Sequence, residues 1–251
     1  QYLWAMAMRY STPFVEDTLQ EFVKQGIEEV ILVPMYPQYA AATTASNTGE
    51  FLRQLKNFPE IRSSRVFPEF YNSDFFLKPT TEMIKNELPN VKAGEAHVLF
   101  SFHGLPVSQI QETPGCLRAA NCCEDPARSE VRCYRRQCVS TAKLVADRLG
   151  LRREQWTYSF QSRLGRAEWI KPYTADQAIQ LGKAKKSLVI QCPAFTIDCL
   201  ETLEEIGLEI RQKFSESGGR EFHLLPCLND EGVWADGFGK AIADFQRDVS
   251  R

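Results

Sequence analysis

The residues best suited to chemistry in this chain are one histidine and one row of acids. His103 is one of three histidines in 251 residues, and it stands in Ser101-Phe102-His103-Gly104-Leu105-Pro106, directly after an apolar run that reads as a buried strand. Open α/β sheets bind ligands beyond the carboxyl ends of their strands, so an imidazole on the loop leaving such an end can take a proton near neutral pH. The acids open a long helical pattern, Asp198-Cys199-Leu200-Glu201-Thr202-Leu203-Glu204-Glu205. At α-helical spacing Asp198, Glu201, Glu205 and Glu209 share one stripe, with Leu200, Leu203, Ile206 and Ile210 on the other side. Two uses of the stripe are open. It can face water, with Asp198 and Glu201 capping the helix, or it can lie beneath a cleft, attract a hard divalent cation and accept protons.

Other loops carry a second set of candidates. Three apolar runs end in proline-bearing segments: Pro34 to Tyr39, His103 to Pro106, and Cys192 to Phe195. Prolines stop strands, so each is punctuation or part of a shared cleft. Ser162 and Arg163 follow another strand-like run, where a guanidinium forms paired hydrogen bonds to a carboxylate or simply sits at a surface turn. Tyr10, Tyr36, Phe102, Trp169 and Phe195 suit either a large flat apolar ligand or the core.

Of eight cysteines, five (Cys116, Cys122, Cys123, Cys133 and Cys138) crowd into a hydrophilic insert over residues 115–138 that has too few apolar residues to pack alone. Thiolates holding Zn²⁺ or an iron–sulfur cluster would organise such a segment, because metal binding in a small loop is local folding energy. The spacings match neither zinc-ribbon pairs nor the plant-type ferredoxin run, so they do not identify the metal.

The elements that must position these groups alternate in a βαβ rhythm. Strands are expected at Tyr2 to Met8, Val30 to Val33, Arg62 to Phe67, Val98 to Phe102, Trp156 to Phe160, Leu188 to Gln191 and Phe222 to Leu225. Helices are expected after Ser11-Thr12-Pro13, around Thr43 to Leu55, Asp74 to Leu88, Gln137 to Leu149 and Ala175 to Gly182, from Asp198 to about Ser215, and from Val233 to Val249. This is an α/β pattern of two doubly wound halves facing a central cleft, residues 1–92 and 93–251, with Pro89 to Glu95 as linker. The chain opens at Gln1, directly into a strand-like run, and reads as a fragment beginning mid-fold. With 43% apolar and 25% charged residues and a net charge of −2, a large core is expected and a phosphate-driven nucleic-acid binder is not. No apolar run reaches the roughly 18 residues of a membrane span, and a cytoplasmic location is expected.

The assembled motifs resemble those of ferrochelatases, which insert Fe²⁺ into a porphyrin at the end of heme synthesis. The carriers are Ala7 to Tyr10 (AMRY), Tyr36 to Tyr39 (YPQY) with Thr43-Thr44, SFHGLP, Phe160 to Thr174 (FQSRLGRAEWIKPYT) and Cys192 to Gly207 (CPAFTIDCLETLEEIG), the last two close to proteobacterial members. The resemblance implies two Rossmann-like halves with parallel sheets, and a lyase acting on ferrous iron and protoporphyrin IX. Coproporphyrin III is an alternative substrate, and a noncatalytic tetrapyrrole or metal carrier an alternative function. It further implies His103 and Glu201 as the catalytic pair, with Asp198 and Glu205 continuing the path of the iron. Arg9, Tyr10, Tyr36, Ser162, Arg163, Trp169 and Phe195 would contact the porphyrin. A [2Fe-2S] cluster held by Cys116, Cys123, Cys133 and Cys138, with Cys122 in reserve, and peripheral attachment to the inner membrane are also implied. The first part of full-length members has no counterpart here, and Cys199 stands where animal-type relatives carry a histidine.

Overall fold

A computed structural model describes residues 2–91, 96–116, 122–125, 127 and 131–247, which fall into two compact units, Gln1–Glu69 and Phe70–Arg251. In the first unit, helix α1 (Val15–Lys24) leads into strand β1 (Glu29–Leu32), a π-turn (Ala41–Ala45) runs into α2 (Ser46–Leu55), and β2 (Ser63–Val66) pairs in parallel with β1. Val15, Leu19, Val30 and Phe51 form its core, flanked by Phe22, Leu32, Leu55 and Val66. The strand expected at Tyr2 to Met8 does not form. That stretch makes one isolated bridge, Met8 to Phe14, because β1 pairs only with β2, and most of its large side chains are exposed.

The second unit is built on a four-stranded parallel sheet in the order β4-β3-β5-β6, with β3 at Ala96–His103, β4 at Trp156–Gln161, β5 at Ser187–Gln191 and β6 at Phe222–Leu224. Val98, Leu99, Phe100 and every residue of β5 are buried, as a parallel sheet covered on both faces requires. One face packs Leu99, Leu188 and Ile190 against Ala178 of α6 (Thr174–Lys183), Ile206 and Ile210 of a π-helix (Glu201–Ile210), and Phe214 of α7 (Arg211–Glu216). Helix α3 (Asp74–Glu87) packs on α5 (Tyr134–Arg148) and α8 (Gly232–Arg247), and Phe70, Phe75, Phe76, Trp234 and Phe238 interlock there, with Trp234 and Phe238 stacked at 4.7 Å. Those contacts explain why the units divide between Glu69 and Phe70, whereas the linker was expected at Pro89 to Glu95. A short helix α4 (Val107–Gln111), unannounced by sequence, follows the His103 loop.

The long acidic helix departs from expectation in kind. Residues 201–210 are wound with π geometry, whose i→i+5 bonding widens each turn. Burial therefore recurs every four residues, at Thr202, Ile206 and Ile210, and turns Leu200, Leu203 and Leu208 outward at 69%, 57% and 65% exposure. Of the four apolar residues grouped opposite the acids at α-helical spacing, Ile206 and Ile210 are buried, whereas Leu200 and Leu203 lie at the surface.

His97 opens β3 in a buried position, with Nε2 3.1 Å from Thr157 Oγ1. Burial, aided by the charge of Lys186, pushes its pKa down from 6.5 to about 4. Between those values the unfolded chain binds the extra proton, so stability is complete above the upper value and falls as pH drops toward the lower. The loss is about 3 kcal/mol, and replacing His97 by Gln is expected to flatten that limb in urea midpoints measured from pH 7 to pH 4.

Candidate active site

The parallel register of β3 and β4 ends with His103 opposite Gln161, which sets both at the carboxyl edge of the sheet. Gly104 turns the chain sharply there. Its N–H donates to the Gln161 carbonyl at 2.8 Å, and a Cβ at this position would lie 2.7 Å from that oxygen and 3.0 Å from Trp169 Cε3. The His103 ring is half-buried, 6.2 Å from the rings of both Trp169 and Phe195. Nδ1 lies 2.6 Å from the Gly104 carbonyl oxygen, an atom that only accepts. Nδ1 therefore carries the proton in the neutral ring, and Nε2 keeps a lone pair. The Tyr134 hydroxyl donates to the His103 carbonyl at 2.8 Å and fixes the strand end.

Gln161, 3% exposed, ties this edge together. Its Oε1 accepts from Ser101 Oγ at 2.7 Å and from Cys192 Sγ at 3.8 Å, while Nε2 donates to the Glu201 carbonyl at 2.9 Å. The first turn of the π-helix is thereby fastened to the two central strands. Tyr134 and Gln161 were not among the expected site residues. Gln161 sat in the quoted Phe160 to Thr174 motif, but nothing in a glutamine at a strand end announces a four-way junction.

The three expected acids have different surroundings. The Glu201 carboxyl is held below the usual carboxylate range by a hydrogen bond from the Cys199 thiol and by its own N–H, with the charge of His103 adding to them against partial burial. Asp198 is desolvated, but Asn229 Nδ2 at 2.8 Å, the Cys227 N–H at 3.1 Å and Thr202 Oγ1 at 3.1 Å outweigh burial and keep its carboxyl low. Glu205 faces the other way in chemical terms. Its Oε1 accepts the Ser162 N–H at 2.7 Å and its Oε2 accepts Ser162 Oγ at 2.6 Å.

The remaining expected residues are distributed as follows. Arg163 is exposed, with its guanidinium 5.3 Å from the Tyr173 ring. Trp169 Nε1 donates to the Leu164 carbonyl at 2.9 Å, and Phe195 packs on the core beneath the π-helix. In the first unit, Arg9 lies 4.8 Å above the Tyr10 ring and 3.6 Å from Glu50, with its Nε buried and unpartnered. Tyr10 is exposed, its hydroxyl 3.3 Å from Ser46 Oγ, and Tyr36 is at the margin of exposure.

All five cysteines of the insert are buried. Residues 117–121, 126 and 128–130 of that segment lie outside the described residues. The Cys116 thiol hydrogen-bonds with Cys133, and burial first, then Cys116, pushes Cys133 up to about 12, while burial, opposed by Arg135 and aided by Cys122, pushes Cys123 up to about 11. Arg135 Nη1 donates to Cys123 Sγ at 2.9 Å. Among the described residues, no group of three or more His, Cys, Asp or Glu side chains is gathered as a metal-holding set. No described helix is long and apolar enough to cross a membrane.

The sheet is covered on both faces, carries an imidazole at its carboxyl edge and has a π-wound acidic helix beside it, which together make a chelatase-like fold. SirB from Bacillus subtilis, in structures with Fe³⁺ and with cobalt, has the same fold at TM-scores of 0.64 and 0.59, with 14% and 12% identity over 96% and 93% of this chain and 81% and 76% of those chains. A family model described as ferrochelatase matches residues 1–245. The ferrochelatase of Bdellovibrio bacteriovorus is 38% identical over 96% of this chain and 72% of its own length, that of Ectopseudomonas mendocina 42% identical over 91% and 68%, and that of Pseudomonas aeruginosa 39% identical over 94% and 70%. The chain belongs to the ferrochelatase family, and its reaction is that of a lyase inserting ferrous iron into a porphyrin in heme synthesis.

The crowding at Gly104 gives a direct test of how the site is assembled. Gly104→Ala presses a methyl against backbone that cannot yield, and is expected to destabilise the protein by about 1–3 kcal/mol. Lowered urea midpoints should accompany slowed metal insertion, because Trp169 must shift from beside His103.

Proposed function

We propose that the chain inserts Fe²⁺ into protoporphyrin IX, with His103 and Glu201 as the proton-accepting pair. The observation that carries the assignment is the lock on His103 Nδ1, which leaves Nε2 as the basic atom beside Trp169 and Phe195. Two pyrrole N–H protons must leave as iron enters, and the Nε2 lone pair of a neutral imidazole can take one of them. Glu201 is ionised before iron enters, so its carboxylate can take the second proton, and until then its charge stabilises the imidazolium and offers an oxygen ligand to a hard cation. Asp198 adds negative potential next to it. Iron, porphyrin and released protons are all substrate or product, so these side chains need only hold, orient and exchange protons.

Flat aromatic walls suit a flat macrocycle, and Trp169 and Phe195 serve that purpose. Arg163 is our candidate for a propionate, its guanidinium exposed and seated on Tyr173. Arg9, Tyr10 and Tyr36 are proposed as porphyrin contacts of the first unit, the buried and unpartnered Arg9 Nε supporting a polar ligand there. Similarity to proteobacterial motifs supports protoporphyrin IX over coproporphyrin III. Exposed Leu164, Ile197, Leu200 and Leu203 support release of an apolar product at the inner membrane surface.

A [2Fe-2S] cluster in the insert is also proposed. The donors fit in kind, being buried thiols, and in neighbourhood, because Cys133 is hydrogen-bonded to Cys116 and lies close enough to Cys123 and Cys138 for their charges to interact. Cys116, Cys123, Cys133 and Cys138 are proposed as the ligands, with Cys122, next to Cys123, in reserve. Bound there, a cluster supplies a one-electron centre and a covalent brace for a segment poor in apolar residues.

His103→Ala is expected to abolish iron insertion while circular dichroism stays native. The assay is anaerobic mixing of protein, Fe²⁺ and porphyrin with the Soret band followed, run in parallel with both porphyrins; turnover equal to wild type would sink the assignment. The purified protein should also show visible absorption that bleaches on reduction and disappears in Cys133→Ser. Colourless protein with stoichiometric zinc is the contrary result.

A further inference from the structure

The geometry points to Glu205 as a positioning residue, a clamp that holds Ser162 and the Arg163 loop against the π-helix, rather than a carrier of iron or protons. This rests on the chelatase site proposed above. Each oxygen of the Glu205 carboxylate already faces a donor: the Ser162 N–H at 2.7 Å on one, and Ser162 Oγ at 2.6 Å with Gln161 Nε2 at 3.5 Å on the other. A cation approaching those oxygens would meet the positive ends of the same N–H and O–H dipoles. Glu201 differs, because the Cys199 thiol donates to its carboxylate and His103 lies near enough to act on it.

The clamp has a strained object to hold. Ser162 has φ of +64°, in the left-handed region that L-residues rarely enter. Such a conformation persists only where its surroundings over-determine it. Ser162 directly follows the last residue of β4, so its backbone sets the direction in which Arg163 leaves the sheet. The anchor is equally well defined, since Ile206, the next residue after Glu205, is fully buried in the core. The clamp also consumes the Ser162 hydroxyl proton, which leaves Arg163 as the donor available to a propionate on this loop.

A clamp and a relay respond differently to removal of charge. Glu205→Gln keeps Oε1 for the Ser162 N–H and turns an amide N–H toward Ser162 Oγ, so the clamp is rebuilt without an anion. Glu205→Ala removes it. In the full-length enzyme, Glu205→Ala is expected to weaken porphyrin binding about tenfold, the size of one lost hydrogen bond to a charged group, read by quenching of porphyrin fluorescence, with the KM for Fe²⁺ unchanged. Glu205→Gln is expected to recover porphyrin binding and kcat to within about threefold of wild type, a difference below 1 kcal/mol. If Glu205→Gln instead loses iron turnover as completely as Glu205→Ala, or raises the KM for Fe²⁺ while binding porphyrin normally, the clamp is wrong and the carboxylate carries charge. Should Glu205→Ala fail to fold, Glu205→Gln decides the question by the same two readings. Failure of the site assignment is separate, since it appears as full activity in His103→Ala whatever Glu205 does.

Discussion

The side-chain amide of Gln161 is the junction on which the site depends. It is buried at the edge of the sheet, accepts from Ser101 on β3, accepts from Cys192 after β5, and donates to the carbonyl of Glu201. Its own carbonyl receives the Gly104 N–H, which begins the turn carrying away from His103. The loop with the imidazole, the loop with the strained serine and the first turn of the acidic helix are therefore all referenced to one residue. A buried amide satisfied on every side costs little to bury and a great deal to disturb, because each broken bond leaves an orphaned polar group.

Division of labour among the carboxylates follows from that junction. Glu201 is held through its backbone carbonyl by Gln161, and its carboxylate is met by the Cys199 thiol. Asp198 and Glu205 are held through their carboxylates, Asp198 by Asn229, Cys227 and Thr202, and Glu205 by Ser162. Three acids with the same chemistry thus sit in three electrostatic situations, and their partners, more than their spacing, separate them. The π winding contributes by setting Thr202, Ile206 and Ile210 inward at intervals of four, so that Glu201 and Glu205 both stay on the side that meets β4.

The insert follows a different logic. Cys122 and Cys123 pack with Val139 of α5 and Tyr158 of β4, beside Arg135, whose guanidinium reaches Cys123 Sγ, Tyr158 Oη and the Lys171 carbonyl. That side chain joins the cysteine region to β4 and to the segment leading back to Trp169. Packing in this part of the unit combines a small apolar contact with directional polar bonds.

Much of this was legible in the residues themselves. The βαβ order, the parallel sheet, the strand that delivers His103 and the helices α2, α3, α5, α6 and α8 all follow from apolar periodicity, because burial on both faces of a strand or on one face of a helix leaves a local trace. The motifs were also sufficient to identify the ferrochelatase family. Tertiary structure alone decided what the sequence pattern could not encode: that Tyr2 to Met8 forms no strand, that the acidic helix is π-wound with Leu200 and Leu203 outward, and that Glu205 spends its oxygens on Ser162. Those outcomes depend on pairing partners far apart in the chain, such as Gln161 with Glu201, and a hydrogen bond across forty residues leaves no periodic mark in either segment.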